Sequence, residues 1–98
     1  MKRIFAVIRE RGSAWQASLP LESQQAWNEH ASLMDGMVEE GFISLGGPLE
    51  GTSDVLLIVR AGDPGEIERR FADDPWTKLG LLRTTRIAPW TLRLGALP

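Results

Sequence analysis

The sequence predicts an α+β domain in which two helices cover one face of a four-stranded antiparallel sheet. Three observations lead to this: short apolar runs of strand length, a long amphipathic helical pattern, and connections that alternate between long crossovers and a tight turn. The 98 residues fit one domain, 1–98. A chain of this size buries only about two-thirds of the surface that its unfolded form exposes, so it gains from burying more against a partner.

Four segments are rich in β-forming residues and are bounded by charged or turn-forming residues. The predicted strands are 4–8, 42–49, 54–61 and 82–94. The turn 50–53 between the second and third strands is too short for a crossover and therefore predicts an antiparallel hairpin. Pro89 interrupts the fourth strand and indicates an edge position or a bulge.

Two segments have the pattern of helices laid on a sheet. The longer is predicted over 21–40, where apolar side chains share one side of a helical wheel. The second begins with Asp63 as N-cap and Pro64 in the first turn, and it ends before Pro75; a short helical turn follows over 76–81. The order strand, helix, strand, strand, helix, strand is that of the ferredoxin-like fold. Right-handed crossovers place both helices on the same face of the sheet.

The first and third predicted strands are apolar on both faces. A sheet with one face in water alternates apolar and polar residues, and residues 4–8 and 55–59 do not. The face without helices is therefore expected to be apolar, and such a patch is rarely left exposed on a monomer. The simplest cover is the same face of a second copy, which gives a homodimer with two sheets packed into a barrel. The alternative is that the loop 10–21 or the C-terminus folds over this face.

Composition argues against several classes of protein. The net charge is -2 with no run of like charges, which argues against a nucleic-acid partner. The absence of cysteine and the single histidine argue against disulfides and a zinc site, and no phosphate-binding glycine loop or dinucleotide fingerprint is present. The first apolar run is too short for a signal peptide, and no segment approaches the roughly 20 apolar residues of a membrane span. We expect a cytoplasmic protein without cofactor, metal or membrane partner.

His30 and Asp74 are the residues with the clearest chemical potential. His30, the only histidine, lies near the middle of the apolar side of the first helix, between Trp27 and Met34 on adjacent turns. A histidine there needs a hydrogen-bond partner and can act as an acid or a base near neutral pH. Asp74 precedes Pro75 where the chain turns, and a carboxylate that orients a histidine is a common acid–base unit. The alternatives are a structural core histidine and an aspartate that only caps a short helix.

Further residues are candidates for the lining of a pocket. The run Gly46, Gly47 and Pro48 can let a ligand approach the backbone closely, although such runs more often mark a bulge or a strand end. Trp76 and Trp90, each directly after a proline, can wall a pocket for a flat or apolar ligand or belong to the core. The last strand carries arginines that can receive an anion or simply be solvated: Arg83, Arg86 and Arg93.

Several stretches, in this order and at these spacings, resemble the YCII-related (YciI-like) family over residues 3–95. They are Trp27-Asn28-Glu29-His30, Glu40-Gly41-Phe42 leading to Leu45-Gly46-Gly47-Pro48-Leu49, Ala72-Asp73-Asp74-Pro75-Trp76 with Gly80-Leu81, and Ile87-Ala88-Pro89-Trp90. The resemblance implies a dimeric α+β barrel, similar in fold to muconolactone isomerase. It also implies a catalytic-type pair at His30 and Asp74. Some family members carry an arginine where this chain has Trp27.

Three functions follow from these features. The first is a small cofactor-free enzyme in which the catalytic residues His30 and Asp74 move a proton on a small organic acid. The resemblance implies isomerisation or elimination on ring-cleavage acids. The second is a small-molecule-binding module without turnover, and the third is a dimeric interaction domain. For the first two, the candidate substrate-binding residues are Trp27, Gly47, Pro48 and Trp76.

Overall fold

The computed structural model describes all residues, 1–98, and has four strands and three α-helices. The strands are β1 (Arg3–Arg11), β2 (Ile43–Pro48), β3 (Asp54–Ala61) and β4 (Leu82–Pro89). The helices are α1 (Trp27–Glu39), α2 (Pro64–Ala72) and the four-residue α3 (Pro75–Lys78), with a 3-10 turn at Leu21–Ser23. The strands form one antiparallel sheet in the order β2-β3-β1-β4. The predicted ferredoxin-like α+β fold is confirmed.

The central strand β1 continues to Arg11, three residues beyond its predicted end at Ile8. Phe5, Val7 and Arg9 are at most 2% exposed and share one face of the strand, because side chains alternate between the two faces. The sequence predicts that the strand ends before Arg9, because a charged residue normally marks a solvated boundary. Here the guanidinium finds partners in the interior, so the pairing with β3 continues past it.

The helix predicted over 21–40 begins only at Trp27. Ala26 before it has φ 59°, a left-handed conformation that breaks the helical run. The side chain of the buried Gln24 holds the preceding loop: it donates to the carbonyls of Gln16 and Leu19 and accepts from the Gln16 N–H. These hydrogen bonds hold residues 16–24 as a separate loop beside α1.

The second half of the chain follows the prediction more closely. Asp63 caps α2 by accepting a hydrogen bond from the Glu66 N–H at 2.8 Å. The short helix after it begins at Pro75, one residue earlier than predicted. β4 ends at Pro89 rather than continuing to 94, since proline cannot donate to the ladder, and it is an edge strand as predicted.

The core lies between the sheet and the helices, and the opposite sheet face carries several apolar side chains. Core side chains come from β1, β3, α1 and α2, among them Phe5, Val7, Met37, Val59, Ile67 and Phe71. On the other face, which we call the open face, the apolar side chains that keep some exposure are Ile4, Ala6, Ile8, Leu45 and Leu56. The loop after β1 packs on the helix side, since Trp15 contacts Trp76. None of the helices is long and apolar enough to cross a membrane.

Candidate functional site

His30 lies in the first turn of α1 and points to the start of α3. It is 8% exposed, and its Nδ1 lies 2.9 Å from Oδ1 and 3.0 Å from Oδ2 of Asp74. The apolar side of α1 packs on the sheet, so the helix carries His30 inward along with Met37. The side chains of His30 and Asp74 thus meet although 44 residues separate them along the chain.

Asp74 is fully buried and is held by the turn between α2 and α3. Because Pro75 disfavours a helical conformation at the residue before it, Asp74 is extended, with φ -67° and ψ 124°, and the next helix begins at the proline. Its Oδ1 caps that helix by accepting from the Trp76 N–H at 3.0 Å. The capping role and the contact with His30 are therefore made by one carboxylate.

Arg9 is the member of the cluster that the sequence interpretation missed. Its side chain is 1% exposed, and its Nη1 donates to Oδ2 of Asp74 at 2.7 Å. Its other terminal nitrogen donates to Oγ1 of Thr77, whose hydroxyl donates to the carbonyl of Phe71. The two-residue spacing of Phe5, Val7 and Arg9, which puts all three on one face of a strand, is the signal that could have placed this arginine on the core face.

Electrostatics keep the carboxylate of Asp74 ionised. Burial alone would raise the pKa of Asp74, but hydrogen bonds from His30, Arg9 and the Trp76 backbone outweigh that effect and leave its pKa below the ordinary value. Burial lowers the pKa of Arg9, and its contacts with Asp74 oppose that shift. An ionised carboxylate only accepts hydrogen bonds, so Nδ1 of His30 carries the proton in this pair.

Tryptophan rings fix the plane of the His30 imidazole. Trp76 stacks on it with ring centroids 3.7 Å apart and planes 7° from parallel. Trp76 is 1% exposed, donates its indole N–H to the carbonyl of Gln25, and meets Trp15 edge to face. Trp27 lies 6.0 Å from His30, centroid to centroid. The imidazole therefore has little freedom to rotate.

A cavity of about 300 Å³ opens beside this pair, between α1, the sheet and the loop before α1. That volume is at the lower end of the range for small-molecule sites. Its lining is mainly apolar and comprises Arg9, Arg11, Trp15, Leu21, Trp27, His30, Met34, Asp35, Val38, Ile43, Gly46, Gly47, Pro48, Val55, Leu57, Trp76 and Leu82.

All four candidate substrate-binding residues border this cavity: Trp27, Gly47, Pro48 and Trp76. Gly46 also borders it, and a Cβ at this position would lie 2.4 Å from Cδ2 of Leu57, its partner across the hairpin. Trp90 is 44% exposed and does not line this cavity.

The arginines that were candidates on the predicted last strand are solvated. Arg83, Arg86 and Arg93 are exposed, and Arg83 pairs with Glu10 at 2.8 Å. No group of three or more histidine, aspartate or glutamate side chains is arranged to hold a metal ion.

The second nitrogen of His30, Nε2, is the free end of the pair. It makes no hydrogen bond within the chain. It also remains accessible, because the Nε of Arg9 is the one fully buried side-chain polar atom that lacks a partner. Since His30 borders the cavity and Nδ1 carries the proton, Nε2 of the neutral ring presents a lone pair. The arrangement can accept a proton from a molecule in the cavity.

Comparison with known proteins supports the fold. No family model matches the chain, and no curated protein matches its sequence. A solved structure is similar: a 5-chloro-2-hydroxyhydroquinone dehydrochlorinase from Burkholderia phenoliruptrix AC1100, in complex with 2,5-dihydroxybenzoquinone. The TM-score is 0.68 at 23% identity, over 90% of this chain and 93% of that chain. The likeness establishes the fold. Membership of the YCII-related family rests on the sequence motifs and stays a prediction.

Proposed function

We propose that this protein is a small cofactor-free enzyme that uses His30, oriented by Asp74, as an acid–base catalyst on a small organic acid, by isomerisation or elimination. The observation that carries the proposal is that Nδ1 of His30 lies 2.9 Å from Asp74 while the same ring borders an apolar cavity. The fold shared with a dehydrochlorinase that binds a small quinone supports a substrate of similar size.

The contacts of the pair divide the catalytic work. Nε2 of His30 takes a proton from the substrate, and the ring becomes an imidazolium. Asp74 stays ionised and stabilises that charge through Nδ1–H, because two further donors hold its pKa low. Arg9 and Thr77 act through Asp74 and fix its orientation, so we regard them as positioning residues.

Two outcomes follow once the proton is on Nε2. In an isomerisation, the electron pair of the broken C–H bond forms a new double bond, the existing one shifts, and the imidazolium returns its proton to another carbon. In an elimination, the electron pair forms a double bond and the leaving group departs with its own bonding pair. The proton then passes from the imidazolium to water. Neither route needs an oxidant or a second substrate.

Proton transfer in heavy water tests the proposal. Muconolactone serves as the isomerisation probe and 5-chloro-2-hydroxyhydroquinone as the elimination probe, followed by NMR and by chloride release. We expect the wild type to catalyse deuterium incorporation or chloride loss, and His30→Leu to abolish it. Asp74→Asn should lower the rate by about 10²–10⁴-fold, within the range for losing acid–base assistance.

The folds of these variants must be compared alongside. Removal of His30 leaves Asp74 with Arg9 and the Trp76 N–H, so the carboxylate is not orphaned and we expect a small change in stability. Met37→Leu is the matched control, because Met37 is buried on the same helix away from the cavity and this swap conserves volume. Equal proton exchange in His30→Leu and Met37→Leu would refute the catalytic role.

The binding-module alternative gives a different result. The wild type would bind 2,5-dihydroxybenzoquinone in equilibrium dialysis but would turn over neither muconolactone nor 5-chloro-2-hydroxyhydroquinone. His30→Leu would then bind the quinone as the wild type does. That outcome would make the cavity a receptor site and His30 part of its wall.

We also propose that the open face is covered by a second copy of the chain. Leu45 is 43% exposed and lies on the same sheet face as the partly exposed Leu56 and Ile8, so apolar side chains face outward from the sheet. Leu56→Lys should convert a dimer to a folded monomer in sedimentation equilibrium. Leu57→Lys, on the buried face, should instead unfold the chain. A wild type that sediments as a monomer at micromolar concentration would exclude the dimer.

A further inference from the structure

Arg11 has an unusual position among the charged residues of the cavity. It is half-buried at the end of β1, and its guanidinium carbon lies 4.4 Å from the ring centroid of Trp15. It forms no ion pair, and its side chain makes no hydrogen bond within the chain. Stacking of the guanidinium face on an aromatic ring leaves the N–H donors at its edge free.

The other arginine of the cavity does not have this freedom. Arg9 lies two residues earlier on the same face of β1, and its charge is compensated by Asp74. Arg11 is therefore the cavity-lining cation that lacks a carboxylate partner. It also borders two further depressions next to the loop that follows β1.

One negative charge also borders the cavity. Asp35 lies on α1, forms no ion pair and is exposed at the rim, where water screens its field. Arg11 is more enclosed and is held in place by Trp15, so an anion bound next to it loses less interaction energy to solvent. The balance of the two charges favours an anionic ligand.

We propose that Arg11 is the specificity-determining residue of this cavity and recognises a carboxylate or an ionised enol on a flat, otherwise apolar ligand. The inference rests on the proposed function in that this ligand is the substrate of His30. A ligand anchored by Arg11 lies against Trp15 and Trp76. These two rings contact each other, and Trp76 stacks on the imidazole of His30. The anionic group thereby sets which carbon faces Nε2.

Three probes of one shape and different charge test the inference: benzoate, neutral benzamide and cationic benzamidine. Binding to the full chain is measured from NMR amide shifts, with the indole signals locating the ligand. We expect benzoate to bind about tenfold more tightly than benzamide, as one charge-assisted hydrogen bond allows, and benzamidine to bind most weakly.

The variants assign that preference to its residue. Arg11→Met should weaken benzoate about tenfold, to the level of benzamide, and leave benzamide unchanged. Arg11→Lys should restore part of the preference because it keeps the charge but not the planar fork. Arg83→Met is the matched control, since Arg83 is exposed and paired with Glu10. This variant should bind all three probes as the wild type does.

Several results would overturn the inference. Equal affinity for benzoate and benzamide, or no binding of benzoate, would show that the cavity does not recognise an anion. A preference for benzamidine would assign the site to Asp35 and a cation. A benzoate preference that survives in Arg11→Met would place the anion elsewhere. An anion preference that depends on Arg11, together with no His30-dependent proton transfer, would refute the proposed enzyme and leave this recognition intact.

Discussion

The buried contact between Arg9 and Asp74 has a predictable energetic weight. Arg9→Met removes the guanidinium while an unbranched apolar side chain occupies its place. The Asp74 carboxylate, 0% exposed, then keeps two donors, His30 Nδ1–H and the Trp76 N–H. Breaking a buried ion pair by removing one partner costs about 3–5 kcal/mol. The two remaining donors place the expected loss at the lower end, about 3 kcal/mol.

A domain of this size has about 5–15 kcal/mol of stability, so the variant should still fold. Its melting temperature should fall by about 12–24 °C, at the usual 4–8 °C for each kcal/mol. The free energy of unfolding is measured by urea titration with tryptophan fluorescence. Arg83→Met, which breaks the exposed pair with Glu10, is the control and should change stability by less than about 1 kcal/mol.

A double-mutant cycle separates the contact from the packing of the arginine. Arg9→Met and Asp74→Asn are made singly and together, and the double variant should lose about 2 kcal/mol less than the sum of the single variants. Additivity within about 0.5 kcal/mol would show that the two charges do not stabilise each other. That result would also remove Arg9 from its positioning role, because its orientation of Asp74 depends on the same contact.

Three further predictions concern the backbone and pH. The pKa of Asp74 lies below its unfolded value near 3.9, so its carboxylate stabilises the fold above that pH. This contribution is lost as the pH falls through the lower folded pKa. The difference in urea midpoint between wild type and Asp74→Asn should therefore shrink below about pH 4. Gly12→Ala should lower the free energy of unfolding by about 1–3 kcal/mol, because its Cβ would lie 2.2 Å from a backbone carbonyl oxygen. Gly47→Ala should not destabilise, because no atom lies within 4 Å of the added Cβ, and thermal melts compare the two variants. Ala26→Gly should be neutral or stabilising by up to about 1 kcal/mol, because glycine adopts the left-handed φ of this position without strain. Ala31→Gly within the helix should cost about 1 kcal/mol of stability in the same melts. Equal losses at both positions would contradict strain at Ala26.

The fold was predictable because hydrophobic periodicity and turn chemistry act locally. The hairpin, the proline-started α2 and the edge position of β4 all follow from residues close together in sequence. The start of α1 was not predictable, because Ala26 fits the helical wheel and alanine carries no sign of a left-handed conformation. What determines it is the set of hydrogen bonds of Gln24 to a loop several residues earlier.

The candidate site was predictable in part. The side chains of His30 and Asp74 stood out by their residue types and by a family resemblance, and the structure brings them within hydrogen-bond distance. The sequence predicts that Arg9 ends a strand, because a charged run such as Arg9-Glu10-Arg11 after an apolar run is usually solvated. Its burial depends on a carboxylate 65 residues away, which no local pattern contains. The role of Trp15 as a cavity wall depends in the same way on a contact with Trp76.

The wide separation of the site residues along the chain has a consequence for how the protein folds. The contact between Arg9 and Asp74 closes a loop of 65 residues, and we expect it to form late because the chain entropy lost in closing the loop is large. Helical structure in α1 depends on contacts between close neighbours, so we expect it to form earlier. During refolding, the far-ultraviolet signal should thus recover before the site does. Arg9 and His30 lie before the exposed turn at 50–53 and Asp74 lies after it, so a chain cut there would carry half of the cluster on each fragment. Reassociation of the two fragments would be a condition for ligand binding.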